Sequence, residues 1–404
     1  MRLRRCVGHL LVTVVAVLGA GACDAGRVPT APPVPVTIAL AADPGDTDVL
    51  NGARLAVDLV NEFVGDLTVP LAAQRGLPGL GGAPLRLVTV DTGSPAALTK
   101  VPGRLSAEGA VAVICAGPTA TAIAVSGQTE RLRLPFIDAL TSTDNLADLG
   151  HEWYFRTAPT DRMLAEAAFG LLRHQQVAAA ARVRLGVLHD GRADNLLALV
   201  RQLAGTAGYR TVVEVDTRTG PDYAIASEIA LAGATVVVSL AGTNGGATTA
   251  ARVAGALPVP APVLAIGPGF AGMAATAPAG EPVVLRAVGW SAEYVSRNPL
   301  ASAIAERYKK RFGKAMTAAA AEAFTATLTL AVALDTAGDA DPTAVRAALR
   351  QMWLPATQLM LPWNGVRFDA TGQNTLAGAV VEARTRTGFR VVYPRELSTV
   401  PVPW

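Results

Sequence analysis

Cysteine, histidine and lysine are the scarce residues of this 404-residue chain: three Cys, four His, and Lys at positions 100, 309, 310 and 314 among 35 basic residues. Cys6 and Cys23 fall in the N-terminal leader or at its end. Cys115 is then the one cysteine of the body, which excludes an intrachain disulfide framework. It closes the apolar run Ala110 to Cys115 and reads as a buried strand cysteine. His9, His151, His174 and His189 are too scattered to give metal-ligand spacing. There is no G-x-S-x-G elbow and no paired cysteine–histidine motif. The sequence therefore carries no enzyme signature, and no metal or cofactor is expected. An excess of charge of one sign is lacking as well. Arg2, Arg4 and Arg5 belong to the leader, so of 35 basic and 32 acidic residues the remainder keeps 32 of each. That balance offers no footprint for a nucleic acid.

A membrane-spanning run is also missing from the N-terminus. Leu10 to Ala20 is shorter than the roughly 20 apolar residues that cross a bilayer. Preceded by three Arg and followed by Ala20-Gly21-Ala22-Cys23, it has the form of a secretory signal over residues 1–22. Two processing readings fit. A-x-A before the cut suits ordinary signal peptidase. A small-residue pair before Cys suits a lipobox, after which Cys23 carries the lipid. The stretch 23–34, rich in Pro and small residues, favours the second as a tether.

Beyond the tether, strand and helix patterns alternate. The apolar run Val34 to Leu40 ends at a Gly/Asp/Pro loop. A helix then carries Leu50, Ala53, Val57 and Val60 on one face. Strands are expected at Pro84–Val90, Ala110–Cys115 and Leu134–Asp138, with helices at Ala96–Glu108 and Ala120–Arg131. A second series begins with a helix at Arg162–His174 and has strands at Val183–Leu188, Thr211–Val215, Thr235–Leu240 and Val263–Ile266. Helices at Ala301–Arg311, Ala318–Asp335 and Pro342–Gln351 come next. Two β runs, Ala377–Ala383 and Phe389–Tyr393, end the chain. Such alternation predicts mainly parallel sheets with helices on both faces, in two similar lobes. The stripe Leu328, Ala331, Val332 and Asp335 reads as an amphipathic core helix. Gly267 to Gly272 fits G-x-G-x-x-G after a strand. Pro278 and Gly280 cut the following helix short, so a dinucleotide site is not expected.

Several short patterns, in order, point to one family. Asn51 to Asn61 reads N-G-A-x-x-A-V-D-x-x-N. Gly81 to Leu85 precedes the second strand, which ends at Asp91. Gly117-Pro118-Thr119-Ala120-Thr121, Leu134-Pro135-Phe136-Ile137 and Thr141-Ser142-Thr143-Asp144-Asn145-Leu146 come after it. Then come Tyr154 to Asp161, the helix end Tyr308 to Gly313, the turn Gly365 to Asp369 with Gly372-Gln373-Asn374, and Val392-Tyr393-Pro394. Together they resemble the solute-binding proteins of branched-chain amino acid and amide ABC importers, over nearly all of the chain after the leader.

The resemblance implies a two-lobed type I periplasmic-binding fold with three crossovers, near Thr157, Val288 and Phe368. Lobe 1 would comprise 35–157 and 289–368, and lobe 2 would comprise 158–288 and 369–404. It implies a non-enzymatic, monomeric lipoprotein on the outer face of the cell membrane. Such a protein captures a small polar ligand and passes it to ABC permease and ATPase subunits. A ligand-sensing receptor built on the same fold is the alternative. In the family a ligand carboxylate sits at helix starts of lobe 1, where unpaired N–H groups favour an anion. Thr119, Thr121, Thr141 and Ser142 occupy those loops here, and Asp46 stands in the first cleft loop. Helix capping is the ordinary use of such residues. In lobe 2, Thr243 and Asn244 offer polar groups. The family's ammonium-binding acid falls where this chain has Gly267-Pro268-Gly269, and its pocket tyrosine falls at Asp194. Either Asp194 replaces that acid or the ligand carries no ammonium, a solvated Asp at a helix start being the ordinary reading, so the pocket departs from the branched-chain amino acid pattern.

Overall fold

A computed structural model of the protein describes residues 33–175, 183–191, 194–276 and 282–403. The segments expected as signal peptide and tether, with Cys23, lie outside the described residues up to Pro32.

The first sheet is wholly parallel. Its strands are β1 (Val36–Ala42), β2 (Leu85–Asp91), β3 (Val113–Cys115), β4 (Phe136–Asp138) and β5 (Tyr154–Arg156), in the order β2-β1-β3-β4-β5. Between them run α1 (Thr47–Asn61), α2 (Pro95–Leu98), α3 (Val101–Glu108) and α4 (Thr119–Leu132). Alternation along β1 divides the core. Ile38, Leu40 and Ala42 pack with α1 on one face, while Ala39 and Ala41 pack on the other with Val101, Leu105 and Val125. The continuous helix expected over Ala96–Glu108 is in fact two. Pro102 lacks an N–H to continue a helix but suits the first turn of a new one, and Lys100 takes the cap position.

The second series contributes α5 (Asp161–Gln175), β6 (Arg184–His189), α6 (Asp194–Thr206), β7 (Arg210–Asp216) and α7 (Asp222–Leu231). It continues with β8 (Val236–Leu240), α8 (Asn244–Gly255), β9 (Val263–Ile266) and β10 (Val284–Val288). The chain then returns to the first lobe with α9 (Ala292–Arg297), α10 (Pro299–Phe312), α11 (Ala318–Ala337) and α12 (Pro342–Arg350). The short β11 (Leu354–Pro355) and β12 (Gly365–Val366) come next, and β13 (Val380–Thr385) and β14 (Gly388–Tyr393) finish the second sheet. That sheet has the order β14-β13-β10-β9-β8-β6-β7. Its last two strands are antiparallel, because a two-residue turn at Arg386 and Thr387 joins them directly. Leu185, Val187 and Val238 face α5 and α6, while Leu188, Val237 and Ala265 face α7 and α8.

The α11 stripe packs in the lobe core as expected, through Leu328 and Ala331, but its amphipathic character is a correction. The helix is buried on nearly every side, with Ala320, Ala321, Ala323 to Ala331, Ala333 and Leu334 all inside. It is long and apolar enough to cross a membrane, yet 72% of that window is buried within the folded protein. Its buried Thr325, Thr327 and Thr329 donate to the carbonyls of Ala321, Ala323 and Thr325 at 2.9, 2.7 and 2.8 Å, so no hydroxyl is stranded. The helix lies against α1 at Gly52. A Cβ there would sit 2.8 Å from the Ala320 carbonyl carbon and closer still to its oxygen. The N-G-A pattern thus records a close helix crossing.

Candidate functional site

The two lobes meet where the chain passes between them. The first passage leaves β5 after Arg156, the second leaves β10 after Val288, and the third runs from β12 to β13. The first two depart from the carboxyl ends of parallel strands. The loops at those ends, with the helix starts behind them, therefore flank the junction, as in other open α/β sheets.

Hydrogen bonds tie the first passage to the third. Arg156 N donates to Gly372 O at 2.8 Å and Asn374 N to Arg156 O at 3.0 Å. Asn374 Nδ2 donates to Thr157 O at 3.1 Å, and Gln373 Nε2 to Ala158 O at 3.3 Å. The Arg156 side chain is fully buried, gives Nε to Gln373 Oε1 at 2.6 Å, and donates from Nη1 to Thr143 O. Asp138, fully buried at the end of β4, accepts from Leu140 N at 3.2 Å, Thr141 N at 3.1 Å and Tyr154 Oη at 3.2 Å. Burial pushes its carboxyl up from the usual range, while the Thr141 bonds and Arg156 pull the other way.

The first-lobe candidates have unequal surroundings. The Thr141 hydroxyl is committed to Asp138. The Ser142 carbonyl accepts from Asp161 N at 2.6 Å, so it joins this lobe to the start of α5. Thr119 is exposed at the first turn of α4, and Thr121, further into that helix, is buried with its methyl group against Gly117. Asp46 caps α1, accepting from Val49 N at 3.3 Å.

In the second lobe, Asp190 just past the end of β6 organises the neighbouring loop. Its Oδ2 accepts from Gly242 N at 2.9 Å, Thr243 N at 3.1 Å and the Thr243 hydroxyl at 3.2 Å. Thr243 also caps α8, accepting from Gly246 N at 3.0 Å, and Asn244 is exposed beside it. Asp194 begins α6, but its side chain lies outside the described residues, as do Arg192 and Ala193. The G-x-G-x-x-G segment forms one 3-10 turn, Pro268–Phe270, rather than the start of a long helix. Pro278 and Gly280 lie outside the described residues. Among the described residues no three His, Cys, Asp or Glu side chains gather as a metal site.

A sequence-family model described as periplasmic binding protein matches residues 39–388. The chain belongs to that family. Its members are solute-binding proteins, not enzymes, and work outside the cytoplasm. Solved structures share the fold. A substrate-binding protein of Desulfitobacterium hafniense in complex with Leu aligns with a TM-score of 0.70 at 19% identity, over 88% of this chain and 99% of that one. LivJ of Streptococcus pneumoniae, in complex with isoleucine, aligns at 0.63 and 16%, over 89% and 100%. A solute-binding protein of R. palustris, in complex with benzoate, aligns at 0.64 and 14%, over 91% and 98%. Comparison with curated protein sequences finds no match.

Within this fold, Gly269 has a physical reason to carry no acid. A Cβ there would lie 2.7 Å from the Thr243 carbonyl carbon and closer to its oxygen, so the loops after β8 and β9 are packed backbone to backbone. Arg156, Asp138 and Gln373 were not singled out from the sequence as functional residues. Asp138 carried a signal, an acid ending an apolar strand as Asp91 does. Arg156 and Gln373 are 217 positions apart, and nothing local links them.

Proposed function

We propose that this protein is an extracytoplasmic solute-binding lipoprotein, anchored through Cys23, that captures a small polar ligand between its lobes and delivers it to an ABC importer. The ligand class is an amino acid, an amide or a similar small carboxylate. The observation that carries this reading is the family match over residues 39–388, on a fold whose two sheets are joined by three passages of chain; Thr121 and Ser142 on one lobe and Thr243 on the other stand in or behind loops at strand carboxyl ends. Helix starts supply unpaired N–H groups to an anion, and three crossings give a hinge about which the lobes can close. The family match and the leader both support a location outside the cytoplasm. Leucine, isoleucine and benzoate in the structural relatives bracket the size of the ligand and span amine-bearing and amine-free carboxylates.

A ligand from a panel of amino acids, amides and short carboxylates should raise the melting temperature, by about 2.7 kcal/mol of added stability at roughly a hundred times its dissociation constant. Small-angle scattering with that ligand should show a smaller radius of gyration; an unchanged value at saturation would count against closure. Separately, the full-length protein should fractionate with membranes, and Cys23→Ala should release it. Wild-type protein found free in the medium would remove the anchor from this reading.

A further inference from the structure

Helix α11 carries one acidic side chain in its buried first three turns, and no cation pairs with it among the described residues. Glu322 stands among Ala320, Ala321, Ala323 and Phe324, each at most 1% exposed. The residue is half-buried, its neighbours along the helix inside and part of it open to solvent. It accepts no hydrogen bond and pairs with no cation among the described residues. An uncompensated carboxyl in such surroundings is costly and calls for a reason.

Its position supplies one. A Cβ on Gly289 would lie 3.3 Å from Glu322 Oε1 and 2.8 Å from Pro159 Cγ. Gly289 opens the second passage between the lobes and Pro159 belongs to the first, so the carboxyl rises where both passages run, on the floor of the junction. The next residue, Trp290, packs on the first-lobe core with a buried indole N–H that has no acceptor among the described residues. Unused hydrogen-bonding capacity of both kinds is thus present within one step of Gly289. The elements packed on α11 carry Asp48, Arg54 and Asp58 on α1, Cys115 on β3, Asp138 on β4, and Arg346 and Arg350 on α12. Of these, Asp138 is the one whose charge acts on Glu322, and it has the same sign.

We propose that Glu322 receives the positively charged amine of the bound solute, the task for which the loop at Gly269 has no room for an acid. The proposal rests on the solute-capture reading above and narrows it to amine-bearing ligands. A metal ion would need further ligands, which do not gather there among the described residues.

The chemistry has a signature. Burial, with the Asp138 charge adding to it, pushes the Glu322 carboxyl up to about 8. At pH 7 the empty site therefore holds a proton. An ammonium bound beside Glu322 favours the carboxylate, so that proton leaves to solvent as the ligand enters. Apparent affinity should then rise with pH, by up to about tenfold per unit, and level off above about 8.

The test uses the whole folded protein, with the twenty L-amino acids and their amine-free counterparts, such as 4-methylpentanoate beside leucine. Ligands are found by thermal shift. They are then titrated calorimetrically at pH 7 in two buffers of different ionisation enthalpy, against wild type, Glu322→Gln and Asp194→Asn. The expected result is a wild-type ligand that releases close to one proton, binds at least thirtyfold more weakly to Glu322→Gln, and releases no proton there. Glu322→Gln binding within threefold of wild type overturns the proposal, as does loss of affinity confined to Asp194→Asn. If amine-free carboxylates bind and amino acids do not, the proposal falls and solute capture stands. If neither of these classes nor any amide binds, both fall.

Discussion

Arg156→Met should lower the free energy of unfolding by about 3–5 kcal/mol, the range for removing one member of a buried charged network. The side chain is wholly inside, and its Nε holds Gln373 Oε1 at 2.6 Å. Its charge also opposes the burial of Asp138 and Asp161. Methionine fills much of the volume but leaves Gln373 Oε1 without its donor and two buried carboxyls without their nearest cation. Both carboxyls should then take up protons more readily, so the loss should be smallest in acid and grow towards neutral pH. Arg156→Lys should fall between the two, since an ammonium cannot serve Gln373 and Thr143 with a planar fork. Urea unfolding, read as a midpoint shift at constant slope, measures this. A loss under about 1 kcal/mol would mean that Arg156 does not hold the first and third passages together.

The second large effect has a sign that helix propensity alone would get wrong. Replacing Gly by Ala inside a helix ordinarily gains about 1 kcal/mol. At Gly52, in α1, it should instead cost about 2–3 kcal/mol or more. The new methyl group would overlap the Ala320 carbonyl and force α1 away from α11. Gly103→Ala is the internal control. That glycine is exposed within α3, and a Cβ there meets nothing within 4 Å. It should stabilise by up to about 1 kcal/mol. Thermal unfolding of both variants checks the pair, and two gains would show that the helices can separate at no cost.

The residues themselves settled the elements, the two-lobed α/β class and the family. Apolar periodicity and the loops between runs depend on near neighbours in the chain, so β1, α1, α4 and β9 fall at or within a few residues of the expected positions. The split at Pro102 was likewise a local property that the pattern of apolar residues masks. The strand β10 is masked in the sequence because Arg286 interrupts its apolar run between Pro282 and the second passage.

What only the tertiary structure decided is which polar groups are already spent and which are free. Thr141 and Ser142 look alike in sequence, yet the Thr141 hydroxyl serves Asp138 while Ser142 holds the start of α5 through its carbonyl. Gly269 reads as a missing acid until the Thr243 backbone is seen to occupy the space where a side chain would begin. Glu322 reads as one acid in an alanine-rich helix, and the lone charge in that apolar run was its signal. Its meaning needed Gly289 and Pro159 brought beside it from two other passages of the chain. Hydrogen bonding, steric exclusion and desolvation are set by atoms within a few ångströms, and here those atoms come from segments far apart in sequence.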